Sequence, residues 1–279
     1  MNQPEPSHPE LNHPELNPPG RNRQIERTVL ITGASGAIGG ALAVAYAAPK
    51  TRLLLHGRRL EALEALAMQC RALGAEVECH DAPLTDDARL EAWLEALANR
   101  CLPDIVIANA GQNQHVPGPG ELEPWEQVSD LLAINLRVPM AMANILTPPM
   151  VGRGSGQLVL MSSLAAWHGL PATPSYSASK AGLKAFGEGL RGHLAPHGVG
   201  VTVVMPGYVS SPMCAAMPGP KPWEWPPEKA AQVIQAGIAR NRARISFPFP
   251  LNVGCWWLAV LPAGISQRLL RLMGYGSRP

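Results

Sequence analysis

The chain has 279 residues, 46% of them hydrophobic and 16% charged, with a formal net charge of +2. That length suits one large domain or two small ones, and the apolar content is enough for a full core. So small a charge leaves no electrostatic footprint for nucleic acid. The cysteines Cys70, Cys79, Cys101, Cys214 and Cys255 are odd in number and include no CxxC pair. Neither a disulfide framework nor a metal site is therefore expected, and a reducing, cytoplasmic setting is the natural one.

Residues 1–26 are polar and proline-rich, with Pro4, Pro6, Pro9, Pro14, Pro18 and Pro19 ahead of Gly20. They contain a short tandem repeat, His8-Pro9-Glu10-Leu11-Asn12 and His13-Pro14-Glu15-Leu16-Asn17. There is no apolar core of a secretory signal, and with so little to bury this stretch is expected to be a disordered tail without chemistry.

Thr28-Val29-Leu30-Ile31-Thr32 is a short β-branched run without alternation, which predicts a strand buried on both faces. Gly33-Ala34-Ser35-Gly36-Ala37-Ile38-Gly39-Gly40 follows, and then an apolar helix from Ala41 to Ala47. Strand, glycine turn and helix in that order present backbone N–H groups to a phosphate, although a tight turn alone has the same composition. A repeating β-α pattern favours the phosphate reading. Arg52–His56 reads as a second strand, Leu60–Leu73 as a helix, and Glu76–His80 as a third strand. Asp86–Arg100 carries Leu90, Trp93, Leu94 and Leu97 at helical spacing, and Asp104–Ala108 reads as a fourth strand. The pattern predicts an α/β fold, a doubly wound parallel sheet of Rossmann type.

An NAD site commonly places an acidic residue about 20 residues after the glycine loop, to bind the ribose 2′-hydroxyl. Here Gly57-Arg58-Arg59 ends the second strand. A guanidinium there suits a 2′-phosphate, so Arg58 is read as its ligand and NADP(H) as the cofactor in preference to NAD(H). Arg59 is read as the start of a solvated helix.

Asn109-Ala110-Gly111 lies at the carboxyl end of the fourth strand, where ligands of such sheets bind. A long helix is predicted from about Trp125 to Ile145, with a kink at Pro139 and with Asn135 in its interior, against its propensity. Gln157–Met161 is a fifth strand that ends in Ser162-Ser163, and Gly200–Met205 is a sixth that ends in Pro206-Gly207. Between them Pro174–Ala195 reads as a helix carrying Tyr176 and Lys180. That spacing puts both on one helix face, with Cβ atoms about 5–6 Å apart. A neighbouring ammonium is expected to lower the phenol pKa and to fit the pair for proton transfer.

Taken in order, these residues resemble the short-chain dehydrogenase/reductase family in its compact single-domain form. The resemblance runs from about Thr28 to Ser211 and rests on Thr32-Gly33…Gly39, Asn109-Ala110-Gly111, Asn135, Ser163 with Tyr176 and Lys180, and Pro206-Gly207-Tyr208-Val209. It implies that Tyr176 is the general acid–base and that Lys180 also binds the nicotinamide ribose. It implies further that Ser163, thirteen residues before the tyrosine, hydrogen-bonds the substrate oxygen, and that Asn135 serves a proton relay. Asp81 resembles the family's adenine-contacting residue. With Val209, Ser211 is placed at the nicotinamide, standing where many relatives carry Thr. The family's TGxxxGxG loop has Ala37 at its middle glycine here. The helices around Asn135 and Tyr176 resemble those that pair subunits, which implies a homodimer or homotetramer.

The stretch Ser211–Pro227, with Met213, Met217, Trp223 and Trp225, is a candidate lid over an apolar substrate. Trp167, His168 and His115 are further candidates to face the pocket. Pro226–Arg242 reads as a helix. A dehydrogenase domain is thus expected over residues 27–245 and an apolar extension over 246–279. The extension contains a Trp-rich run from Leu251 to Ile265 that is too short to span a membrane. Cover for the substrate cleft is the favoured reading, with peripheral membrane contact through 247–265 as the other. The expected function is oxidoreduction of a small apolar carbonyl or alcohol. An NAD-dependent alcohol dehydrogenase of the same fold, or a cofactor-binding sensor without turnover, are the alternatives.

Overall fold

The computed structural model describes residues 25–118 and 120–275. The predicted tail lies outside them except for its last two residues, and Glu26 already donates its N–H to the Lys50 carbonyl at 2.9 Å. Strand β1 (Arg27–Thr32) shows why its sequence lacks alternation. Val29 and Ile31 pack into one apolar layer and Leu30 into the other, all fully buried. Six further strands lie parallel to it: β2 (Thr51–His56), β3 (Glu76–His80), β4 (Ile105–Ala108), β5 (Gly156–Met161), β6 (Val199–Pro206) and β7 (Arg244–Phe247). Their order across the sheet is β3-β2-β1-β4-β5-β6-β7.

Helices α1 (Ala37–Tyr46), α2 (Leu60–Ala72) and α8 (Pro227–Ala239) cover the face of Val29 and Ile31. Helices α3 (Asp87–Cys101), α4 (Trp125–Leu132), α5 (Val138–Arg153) and α6 (Pro174–Leu194) cover the face of Leu30. The result is a single doubly wound α/β domain of Rossmann type. The chain changes direction across the sheet between β1 and β4, which opens a crevice at their carboxyl ends.

Four local readings change. Helix α1 begins at Ala37 rather than Ala41, so Gly39 and Gly40 lie in its first turns. The long helix runs on to Arg153, and its distortion is a π turn over Ala133–Arg137 that lies before Pro139. The cause is local. Pro139 has no N–H to offer the Asn135 carbonyl, and the helix widens so that the Val138 N–H bonds the Ala133 carbonyl five residues back. Strand β7 was not foreseen, and it carries the sheet two residues beyond the expected domain end at 245. Finally, Pro262 breaks the apolar run into two helices, α9 (Leu251–Val260) and α10 (Ala263–Leu272).

Candidate active site

Thr32, the last residue of β1, holds the crevice together. Its hydroxyl accepts the N–H groups of Asn109 and Ala110 at 3.0 and 3.1 Å. The Asn109 amide donates back to the carbonyls of Thr32 and Gly33 at 3.0 and 3.2 Å. The side chain of Asn109 thus braces the glycine loop. Gly33 sits at φ +66°, a left-handed conformation that favours glycine. At Gly39 a Cβ would lie 2.3 Å from the Gly33 carbonyl and 2.7 Å from the Asn109 amide, so only glycine fits. Ala37 is the first residue of α1, and Gly36 before it has an ordinary extended backbone. The amino end of α1 has no side-chain cap and no acidic residue in its first turn. Its orphan N–H groups and helix dipole form a cradle that fits a diphosphate.

Arg58 and Arg59 border this cradle, together with Asp81 beyond β3. The Arg59 guanidinium donates to the Ser35 carbonyl in the glycine loop. It is therefore a loop-bracing cation as well as the residue before α2, and the sequence reading that gave it only a solvated face falls short. Arg58 is exposed beside it. No carboxylate occupies the end of β2; the pair of guanidiniums stands there instead.

The end of β5 and helix α6 carry the proton-transfer groups. Lys180 is 5% exposed, and its Nζ donates to the Met161 carbonyl at 2.8 Å. Ser162 donates to the Lys180 carbonyl at 2.8 Å, so its hydroxyl is committed to holding the helix. Ser163 accepts the Ala165 N–H at 3.1 Å while capping a single 3-10 turn, Leu164–Ala166, and keeps its own proton to donate. Asn135 is fully buried in the π turn. Its Oδ1 accepts the Gln112 N–H at 2.9 Å, and its Nδ2 donates to the Gln112 carbonyl at 2.9 Å and to Ser179 Oγ at 3.2 Å. Gly111 passes between this amide and Lys180, where a Cβ would sit 3.1 Å from Asn135 Oδ1 and 3.5 Å from Lys180 Nζ.

The expected depression of the Tyr176 phenol is not what this arrangement gives. Burial pushes its pKa up, and the Ser163 hydroxyl beside it lowers it only in part. Lys180 does not supply the missing charge. Its Nζ is 5.7 Å from the phenol ring centre, and burial pulls its own pKa down to about 8. Desolvation acts against both charged forms.

Ser163, Tyr176 and Lys180 line one cavity of about 1660 Å³ together with the glycine loop, Asn109, Gly111, Pro206, Gly207, Val209 and Ser211, whereas Asn135 does not. Ser211 caps the short helix α7 (Pro212–Ala216) by accepting the Cys214 N–H at 3.0 Å. Beyond it the wall is apolar: Met213, Met217 and Trp223 from the candidate lid, then Leu251, Trp257 and Leu269 from the C-terminal helices. Trp225 does not join them. It bridges to Val209 and stacks on Phe247 at 5.0 Å. Of the other candidates His168 lines the cavity, with Nε2 2.8 Å from Ser266 Oγ on α10. Trp167 instead lies under Lys184 and Arg244, and His115 is exposed away from the cavity. Tyr208 also lines the cavity and pairs with Tyr275, whose hydroxyl donates to the Pro220 carbonyl at 2.9 Å. The sequence placed Tyr208 in a motif but gave it no part, and nothing in its neighbours pointed to Tyr275, which reaches the site from far along the chain.

Comparison with known proteins agrees with this geometry. The model of the short chain dehydrogenase family matches residues 27–220. An uncharacterized oxidoreductase of Myxococcus xanthus is 38% identical over 239 residues, covering 85% of this chain and 93% of its own. A very-long-chain 3-oxoacyl-CoA reductase of Phaeosphaeria nodorum is 29% identical, covering 79% of this chain and 67% of its own. Among solved structures, a short-chain dehydrogenase from Sphingobium yanoikuyae in complex with NADPH superposes with a TM-score of 0.74 at 28% identity. The two cover 88% of this chain and 95% of that one. With its sheet order, its braced glycine loop and its serine, tyrosine and lysine on one cavity, the chain belongs to the short-chain dehydrogenase/reductase family of oxidoreductases.

Proposed function

We propose that the protein is an NADP(H)-dependent oxidoreductase that interconverts a carbonyl and a secondary alcohol on an apolar substrate. The observation that carries this reading is one cavity with two unlike ends. Glycine loop, Arg58 and Arg59 stand at one end, methionine, tryptophan and leucine at the other, and Tyr176 with Ser163 in the same wall. In this reading the loop from Gly33 to Gly39 holds the diphosphate, Arg58 the 2′-phosphate, and Asp81 the adenine side. Asn109, Ala110 and Gly111 line the cofactor's path, and Val209 and Ser211 meet the nicotinamide. The bound cofactor supplies or accepts the hydride.

The chain's own residues handle the proton. In the reductive direction Tyr176 Oη donates its proton to the oxygen that gains negative charge, and the Ser163 hydroxyl donates a hydrogen bond to the same oxygen. A phenol whose pKa is raised by burial is protonated throughout the neutral range, which favours its service as the acid. Lys180, with its pKa near 8, carries a proton at neutral pH and can pass it on. Asn135 holds the Gln112 main chain, and with it Gly111, against that ammonium, which supports its part in the relay. The relative named as a very-long-chain 3-oxoacyl-CoA reductase is in line with reduction of a carbonyl on an apolar chain.

Turnover of a panel of ketones with NADPH and with NADH tests the reading. NADPH is expected to be preferred, and Arg58→Ala should raise its KM by about tenfold or more while sparing NADH, as loss of a charge-assisted bond implies. Equal use of the two cofactors, or no effect of the variant, would overturn the assignment of the 2′-phosphate.

A further inference from the structure

The C-terminal helices bury little of themselves. No residue of α9 is buried, and in α10 only Ser266 and Leu270 are. Those two pin α10 to the domain, Ser266 through His168. What faces outward is apolar. Val253, Trp256, Trp257 and Val260 are exposed on α9. Ile265, Leu269 and Leu272 are exposed on one edge of α10, Leu272 by 84%. Monomeric surfaces rarely gather so many large apolar groups without a use for them. The charge carried by the two helices themselves is of one sign. No Asp or Glu follows Glu228 in the sequence, and Arg268 and Arg271 stand exposed beside the apolar edge of α10.

The patch is also the rim of the cavity. Val253, Trp257, Leu269 and Met273 line the cavity and are exposed at the same time. A protein partner seated there would plug the mouth, whereas a lipid surface would feed it. Tryptophan, leucine and flanking arginine match the membrane–water interface, and helices of ten residues are too short to cross a bilayer. We infer that helices α9 and α10 seat the protein on an anionic lipid surface. The apolar side chains enter the interface, Arg268 and Arg271 lie among the phosphate headgroups, and the cavity mouth faces the bilayer. Delivery of a lipid-borne carbonyl compound through that mouth rests on the proposed chemistry; the docking does not.

The test is flotation of the full chain with vesicles of phosphatidylcholine mixed with phosphatidylglycerol, and with vesicles of phosphatidylcholine alone. The protein is expected to float with the anionic vesicles and much less with the neutral ones. Arg268→Gln and Arg271→Gln should each weaken binding about fivefold. Val260→Ser, Ile265→Ser and Leu272→Ser together should abolish flotation while leaving the thermal midpoint and turnover of a water-soluble ketone unchanged; none of the three lines the cavity. Protein that stays in the aqueous fraction with anionic vesicles would overturn the inference. So would a larger assembly in solution that the triple variant dissolves without any flotation, because the patch would then join copies of this chain. Flotation without ketone turnover would leave the docking in place and sink only the chemistry.

Discussion

Lys180 is held in the fold at a cost that can be measured. Burial lowers its pKa from the ordinary 10.5 to about 8. At about 1.4 kcal/mol for each tenfold change in proton affinity, that difference is worth about 3 kcal/mol. The sign follows from proton binding. Between pH 8 and 10.5 the unfolded lysine keeps a proton that the folded one has lost, so this group makes the fold more stable as the pH rises through that window. Below pH 8 both states bind the proton, and the full cost is present. Lys180→Met removes the charge but leaves the Met161 carbonyl without its donor, a loss of about 1–3 kcal/mol. At neutral pH the variant should therefore equal the parent in stability or exceed it by up to ~2 kcal/mol, while losing turnover. Its advantage should fall by about 3 kcal/mol between pH 8 and 10.5, because only the parent gains there. Denaturant titrations followed by tryptophan fluorescence read the difference directly, and groups common to both proteins cancel. A stability difference that stays constant across the window would refute the claim that Lys180 is a desolvated ammonium.

Three other substitutions probe the site from different sides. Tyr176→Phe removes the transferable proton and little volume. Turnover should fall by about 10²–10⁴-fold with cofactor affinity nearly intact by fluorescence titration, and retained turnover would dismiss Tyr176 as the acid–base. Gly39→Ala pushes a methyl group to 2.3 Å from the Gly33 carbonyl, which costs about 1–3 kcal/mol of overpacking. Thermal midpoint and NADPH affinity should drop together. Ala37→Gly removes a methyl group from the first residue of α1 and should cost at most about 1 kcal/mol of stability, less than Gly39→Ala, with NADPH affinity nearly unchanged; the reverse order of effects would mean that the loop is built differently.

The parallel sheet was legible because burial on both faces writes a strand as a continuous apolar run. Leu53-Leu54-Leu55 and Val106-Ile107 could be little else between helical repeats. Strand β7 was not legible for the opposite reason. Arg244-Ile245-Ser246-Phe247 is four residues long, alternates like a surface segment, and becomes a strand by pairing with β6. The π turn was half legible. Pro139 announced a break, and the i→i−4 rule places the lost bond at the carbonyl of Asn135, whose side chain holds the Gln112 main chain. Tyr176 and Lys180 were found by spacing, but spacing counts charges and not water. The direction of both pKa shifts depends on a burial that only the packed fold reveals. The apolar run from Leu251 was readable as cover for the substrate cleft, and residues of α9 and α10 do line the cavity; that much of it stays exposed depends on packing that only the fold reveals.

The chemistry is finally a matter of strand register. Three consecutive residues at the end of β5 each take one part of helix α6. The Met161 carbonyl receives Lys180 Nζ, the Ser162 hydroxyl binds the Lys180 carbonyl, and Ser163 stands beside the Tyr176 phenol. Successive side chains on a strand point to opposite sides, so a slip of one residue would put Ser162 in the place of Ser163 and Met161 in the place of Ser162. The hydroxyl beside the Tyr176 phenol would then be the one now spent on the helix backbone. What prevents the slip is pairing on both sides: Ala108 with Leu160 on one, Leu160 with Val203 and Met161 with Val204 on the other. The N–H of Ser162 extends that ladder to the Val204 carbonyl at 2.8 Å. The choice between two adjacent serines, which neither composition nor turn propensity can make, is therefore made by the central strands of the sheet.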